Sequence, residues 1–121
     1  MTILMLGQHL ELGYYRSEFL KSHGFEVIFP ESKTAALAAI RMGGFDAVVI
    51  SYTLSKESAK EFVTLIKQAY KDCPIIAITQ KQRNEDGLEP DELVLDTDRP
   101  AALLDALVRI EKRRQSICRV K

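Results

Sequence analysis

Short runs without a charged residue recur along the chain, separated by longer stretches whose apolar residues fall three and four apart. Thr2-Ile-Leu-Met-Leu-Gly, Ala47-Val-Val-Ile and Pro74-Ile-Ile-Ala-Ile-Thr read as strands covered on both faces. Phe25-Glu-Val-Ile-Phe-Pro and Glu92-Leu-Val-Leu-Asp make five strands. From Leu12 to Ser22, Leu12, Tyr15, Phe19 and Leu20 stand at helical spacing, and Gly24 follows where a C-terminal cap glycine belongs. Ser32 or Thr34 can cap a second helix with Leu37 and Ile40 inward, stopped by Gly43-Gly44. Ser55 is placed to cap a third, where Ala59, Phe62, Val63, Ile66, Ala69 and Tyr70 form the clearest stripe in the chain. Asp98, Arg99 and Pro100 open a last helix with Leu103, Leu107 and Ile110 on one side.

Strands that alternate with helices, joined by short loops, predict an α/β fold. The expected architecture is a single three-layer domain: a five-stranded parallel sheet of order 2-1-3-4-5 with helices on both faces. Residues 1–114 are read as that domain and residues 115–121 as a basic C-terminal tail. One slot is irregular. QKQRNEDGLEPDE, residues 80–92, has a single apolar residue, Leu88, so the fourth helix is expected to be short or replaced by a loop. In this strand order ligands sit beyond the strand ends near the first and third strands. Gly7-Gln8-His9 and Ser51-Tyr52-Thr53 are therefore expected to be neighbours.

Length and composition narrow the function. The 121 residues fit one ordinary domain, and 17 basic residues balance 17 acidic ones, so no global field draws nucleic acid or an anionic membrane. Lys112, Arg113, Arg114, Arg119 and Lys121 make a local basic end, which suits the last turn of a helix. No apolar run approaches a membrane span and residues 1–6 do not resemble a secretion signal, which makes the cytoplasm the expected location. Cys73 and Cys118 have no CxxC partner, so neither a zinc site nor a disulfide framework is implied. There is no Gly-rich phosphate loop, and Ser51 lacks the Gly-x-Ser-x-Gly elbow of a hydrolase nucleophile. A binding protein without cofactor or metal is expected rather than an enzyme.

The pattern resembles the response-regulator receiver domain of two-component signalling, over nearly the whole chain. Ile3-Leu-Met-Leu-Gly-Gln-His falls where a receiver has a strand followed by acidic residues that hold magnesium. The resemblance puts Gly7 and Gln8 at the acidic positions and Ser51 at the phospho-accepting aspartate. Thr79 takes the place of the hydroxyl residue that contacts the phosphoryl group. His9 and Tyr52 flank the same pocket, and Arg99 (or Asp96, on an alternative alignment) takes the position of the family's lysine. With no carboxylate at positions 7, 8 and 51, the resemblance implies a pseudo-receiver that acts through protein–protein contact without phosphorylation. It implies a protein partner in a signalling or output step, with self-association through residues 80–110 as one form of it.

A second resemblance is to cobalamin-binding domains of the same sheet order. His9 would stand for their cobalt-ligating histidine, with Gly24-Phe-Glu-Val and Val49-Ile-Ser at similar spacing. The match departs where the motif's aspartate is Gly7 and its glycine is Leu12, with Gly13 one residue late. A degenerate site for cobalamin or another small ligand is thus the alternative.

Overall fold

The structure, a computed structural model, describes residues 1–79, 90–95 and 100–120, with the side chains of residue 100 and residues 114–120 excepted. Five strands appear, β1 (Thr2–Leu6), β2 (Glu26–Ile28), β3 (Ala47–Ser51), β4 (Ile75–Thr79) and β5 (Glu92–Leu95). Among the described residues four helices accompany them, α1 (Leu10–Ser22), α2 (Lys33–Met42), α3 (Lys56–Ala69) and α4 (Pro100–Val120). The strands are parallel throughout and ordered β2-β1-β3-β4-β5, as the alternation predicts. The irregular segment expected at 80–92 lies mostly outside the described residues, as do Asp96 and Arg99. The backbone of residues 115–120, read above as a tail, continues α4.

Successive strand residues point to opposite faces, so the sheet builds two cores. Ile3, Met5, Val49 and Ile78 pack with Leu20 of α1 and with Leu103 and Leu107 of α4. Leu4, Leu6 and Ile50 pack with Ile40 of α2 and with Phe62 and Ile66 of α3. Burying each such side chain is worth about 1.5–3 kcal/mol, which is why uninterrupted apolar runs end up in the middle strands.

Helix α1 departs from its predicted stripe. Tyr15, expected inward, is 59% exposed, and the buried positions are Gly13, Ser17 and Leu20. The cause is a close approach. Phe29, just past β2, lies over Gly13 so tightly that a Cβ there would stand 2.1 Å from its Cζ. Ser17 Oγ donates to Met5 Sδ at 3.6 Å. Small residues therefore face the sheet, and the tyrosines are turned to solvent. Ala69, expected in the α3 stripe, is likewise exposed, since the helix ends there and Tyr70 is its C-cap.

The ends of the elements follow local chemistry. Gly24, at φ +91°, closes α1: its N–H donates to Lys21 O and that of Phe25 to Leu20 O, a pairing that needs a left-handed residue between. Of the two candidate caps for α2 it is Ser32 that serves, its hydroxyl accepting from Ala35 N at 3.1 Å. Ser55 does the same for α3 through Ser58 N.

Two aspartates fix strand register from the opposite edge. Asp46, before β3, accepts from Thr2 N through Oδ2 at 2.7 Å and donates its own N–H to Thr2 O at 2.7 Å. Asp91, before β5, repeats the exchange with Ile75 of β4, at 2.7 and 2.8 Å. Each carboxylate joins the first residue of the neighbouring strand by a charge-assisted bond.

Candidate functional site at the C-terminal edge of the sheet

The ends of β1 and β3 meet where the strand order reverses, and the site is built from there. Leu6 pairs in register with Ile50, so the residues that follow, Gly7-Gln8 and Ser51-Tyr52-Thr53, lie side by side as predicted. Gly7 makes this possible: a Cβ at that position would stand 3.1 Å from Thr53 Oγ1 and 3.2 Å from Ser51 Cβ. The peptide after it turns its Gln8 N–H onto Thr53 Oγ1 at 3.0 Å.

Ser51 ends β3 and is only 5% exposed. Its Oγ accepts from Arg16 Nη1 at 3.3 Å and from Thr53 N at 3.2 Å, and lies 3.1 Å from Thr53 Oγ1. A hydroxyl has two lone pairs and one proton. Because Arg16 and the Thr53 amide can only donate, they engage both lone pairs. Thr53 Oγ1, which accepts from Gln8, donates its own proton to the same Ser51 oxygen. The Ser51 oxygen is thereby enclosed by three donors. The arrangement can hold the strand end in place, and among the described residues it leaves the serine neither a free lone pair nor a base to activate it.

Arg16 is the residue that the sequence pattern did not single out. It is half-buried on α1 and reaches the end of β3 across 35 positions of sequence. Its spacing holds the one clue: Arg16 is four residues from both Leu12 and Leu20, and so on the inward side of the helix. Among the described residues the charge brought to Ser51 is thus a cation, and positions 7, 8 and 51 hold no carboxylate.

The other predicted residues are distributed around this centre. His9 is the N-cap of α1, its Nδ1 accepting from Leu12 N at 3.2 Å. Tyr52 donates its N–H to Ile78 O and packs its ring on the α1–α4 core. Thr79 ends β4, half-buried, one step beyond Ile78, the register partner of Ser51. Among the described residues no three His, Cys, Asp or Glu side chains gather as a metal site would require. The magnesium that the receiver resemblance brings to mind does not fit what is here. A hard divalent cation wants oxygen ligands, carboxylates above all, and among the described residues this edge offers hydroxyls already engaged and a guanidinium beside them.

No family model matches the chain, and no curated protein does. Solved structures do. The response regulator TrrA of Thermotoga maritima, solved in complex with Mg2+-BeF, is 21% identical, with 90% of this chain and 97% of that one covered at a TM-score of 0.77. The chemotaxis protein CheY4 of Vibrio cholerae is 22% identical over the same shares, at 0.79. A CheY-like receiver domain from Methanospirillum hungatei is 15% identical, covering 95% of this chain and 97% of its own, at 0.76. These likenesses establish that the chain has the receiver fold. No helix of the described residues is long and apolar enough to cross a membrane.

Proposed function

We propose that this chain is a receiver-like domain of two-component-type signalling that takes up no phosphoryl group and works by protein–protein contact. The observation that carries the reading is the state of Ser51. In a phosphorylatable receiver a carboxylate attacks phosphorus while carboxylate-held magnesium neutralises the moving charge. Here the equivalent side chain is neutral and buried, its oxygen is held by three donors, and one of them is the Arg16 guanidinium, 3.3 Å away. Arg16 supplies from within the chain the positive charge that a metal ion would bring. It also ties α1 to β3 directly. The site then serves as a fixed joint between helix and sheet.

The partner in this reading is a protein, and its surface is the side formed by β5 and α4. There Glu92 receives Arg109 and Arg113 of α4, each at 2.8 Å, while Leu93, 37% exposed, faces the opposite side of the same strand. The outermost strand of the described sheet and an exposed leucine are features that a partner can cover. Catalysis has no part in it.

Titrating the labelled protein with beryllofluoride and magnesium tests the proposal through its amide resonances. The expected result is no saturable change at Ser51, Thr53 or Thr79. Localised, saturable shifts at those three amides that require magnesium would overturn it.

A further inference from the structure

The same edge of the sheet has a second concavity, on the face of α2 and α3. It is a cavity of about 230 Å³. Its floor is apolar: Leu6, Ala36, Leu54 and Phe62, all four among the buried or partly buried members of the second core, with Leu6 closing the strand. Its far wall is the Gly7–Gln8 peptide, whose amide holds the Thr53 hydroxyl of the Ser51 cluster. The two sites therefore lie on opposite faces of one strand end and share a wall.

Volume and charge together select the occupant. An apolar cavity of about 150 Å³ already accommodates a benzene ring, so this one has room for a bicyclic ring. Its rim carries charges of both signs, Lys33 and Glu31. Lys33 Nζ is compensated by Glu61 Oε1 at 3.2 Å across the α2–α3 gap. The first turns of both helices are already capped, by Ser32 on Ala35 N and Ser55 on Ser58 N. Lys33 is thereby spent and nothing is left to draw an anion, while Glu31, exposed at the rim, adds only a solvent-screened charge. The floor favours an apolar body, and the Ser58 hydroxyl and the Gln8 side-chain amide at the rim offer polar contacts.

We infer that this cavity is a binding site for a small, uncharged, largely apolar ring molecule bearing one or two hydrogen-bonding groups. The inference goes beyond the phosphorylation-independent reading of Ser51 and does not depend on it. Occupancy acts on the Gly7–Gln8 wall and is felt at Thr53.

Indole serves as the neutral probe, with indole-3-acetate and tryptamine as its anionic and cationic counterparts. Titrated into labelled protein, indole is expected to give saturable shifts at the Gly7, Gln8 and Ser32 amides and a smaller one at Thr53. Both charged analogues are expected to bind more weakly. Ser58→Leu, which fills the half-open side of the cavity, is expected to weaken indole by about tenfold or more, equivalent to 1.4 kcal/mol. Intermolecular Overhauser contacts from the indole ring to the Leu6 and Leu54 methyls give a second readout in the unaltered protein. Absence of saturable shifts, of those contacts, or of any loss in a folded Ser58→Leu protein would overturn the site. Tighter binding of either charged analogue would overturn the ligand class. Neither readout involves beryllofluoride, so failure here is distinguishable from failure of the proposed function.

Discussion

Replacing Gly13 by alanine tests the packing that brings Arg16 to Ser51, because two effects of opposite sign compete there. In the interior of a helix alanine is better than glycine by about 1 kcal/mol, from backbone entropy alone. Against this, the new methyl carbon would stand 2.1 Å from Phe29 Cζ and 2.6 Å from both Cε1 and Cε2. No rotation of alanine relieves that contact, so the ring must leave. Phe29 is half-buried against the α1–α4 core and edge-on to Tyr14, with centroids 5.4 Å apart at 87°. Overpacking of this kind costs about 1–3 kcal/mol, which outweighs the propensity gain. Gly13→Ala should therefore destabilise the protein, by up to about 2 kcal/mol in urea unfolding. In a Phe29→Ala background the obstruction is gone, and the same change should stabilise by about 1 kcal/mol. The difference between the two backgrounds is the decisive quantity, a coupling of about 1–3 kcal/mol between residues in contact. If Gly13→Ala stabilises the protein with Phe29 present, or has the same effect in both backgrounds, the close approach of α1 to Phe29 is refuted.

Other perturbations have equally definite outcomes. The Arg109 guanidinium, then that of Arg113, holds the Glu92 carboxyl below its ordinary value of 4.5, partly opposed by burial. A group whose folded-state pKa is depressed contributes stability above its unfolded pKa and loses it as pH falls through the folded one. Glu92→Gln should cost about 1 kcal/mol or less at pH 7, since both arginines are more than half exposed, and should flatten the fall in stability below about pH 4.5 in acid-dependent urea melts. A loss that persists undiminished at pH 3 would show that the pair is not what matters. Asp46→Ala should cost about 1–3 kcal/mol by leaving Thr2 N without its charged acceptor. Asp46→Asn, which keeps an acceptor oxygen, should cost less; equal losses in the two unfolding curves would refute the latch.

The central strands were legible because each is buried on both faces and so admits no polar residue. Helix α3 was legible because its inner face is made of large apolar groups. Helix α1 was not, for a physical reason. Its inner face uses Gly13 and Ser17 to come close to the sheet, and small side chains leave no mark in a hydrophobic pattern. The glycine itself was a clue, since its cost inside a helix implies a close neighbour. The partner, Phe29, could not be inferred from spacing, because it lies beyond the end of β2 and folds back. At the site, the sequence placed Gly7, Gln8 and Ser51 together through strand order alone. Arg16 escaped because a long cationic side chain can reach either solvent or the sheet end, and only the packing of α1 decides between them. The residues at 80–89 and 96–99, where Arg99 and Asp96 fall, are outside the described structure.

Strand β3 begins after one acidic residue and ends on a neutral one. Asp46 anchors it to Thr2 at the lower edge, while Ser51 closes it at the upper edge about five residues away. The two ends answer to different demands. Register is secured where Asp46 sits, while Ser51 fastens the far end to helix α1 through Arg16. The strand is therefore held at each end by a different kind of bond, a carboxylate to its neighbouring strand below and a hydroxyl to a helix above.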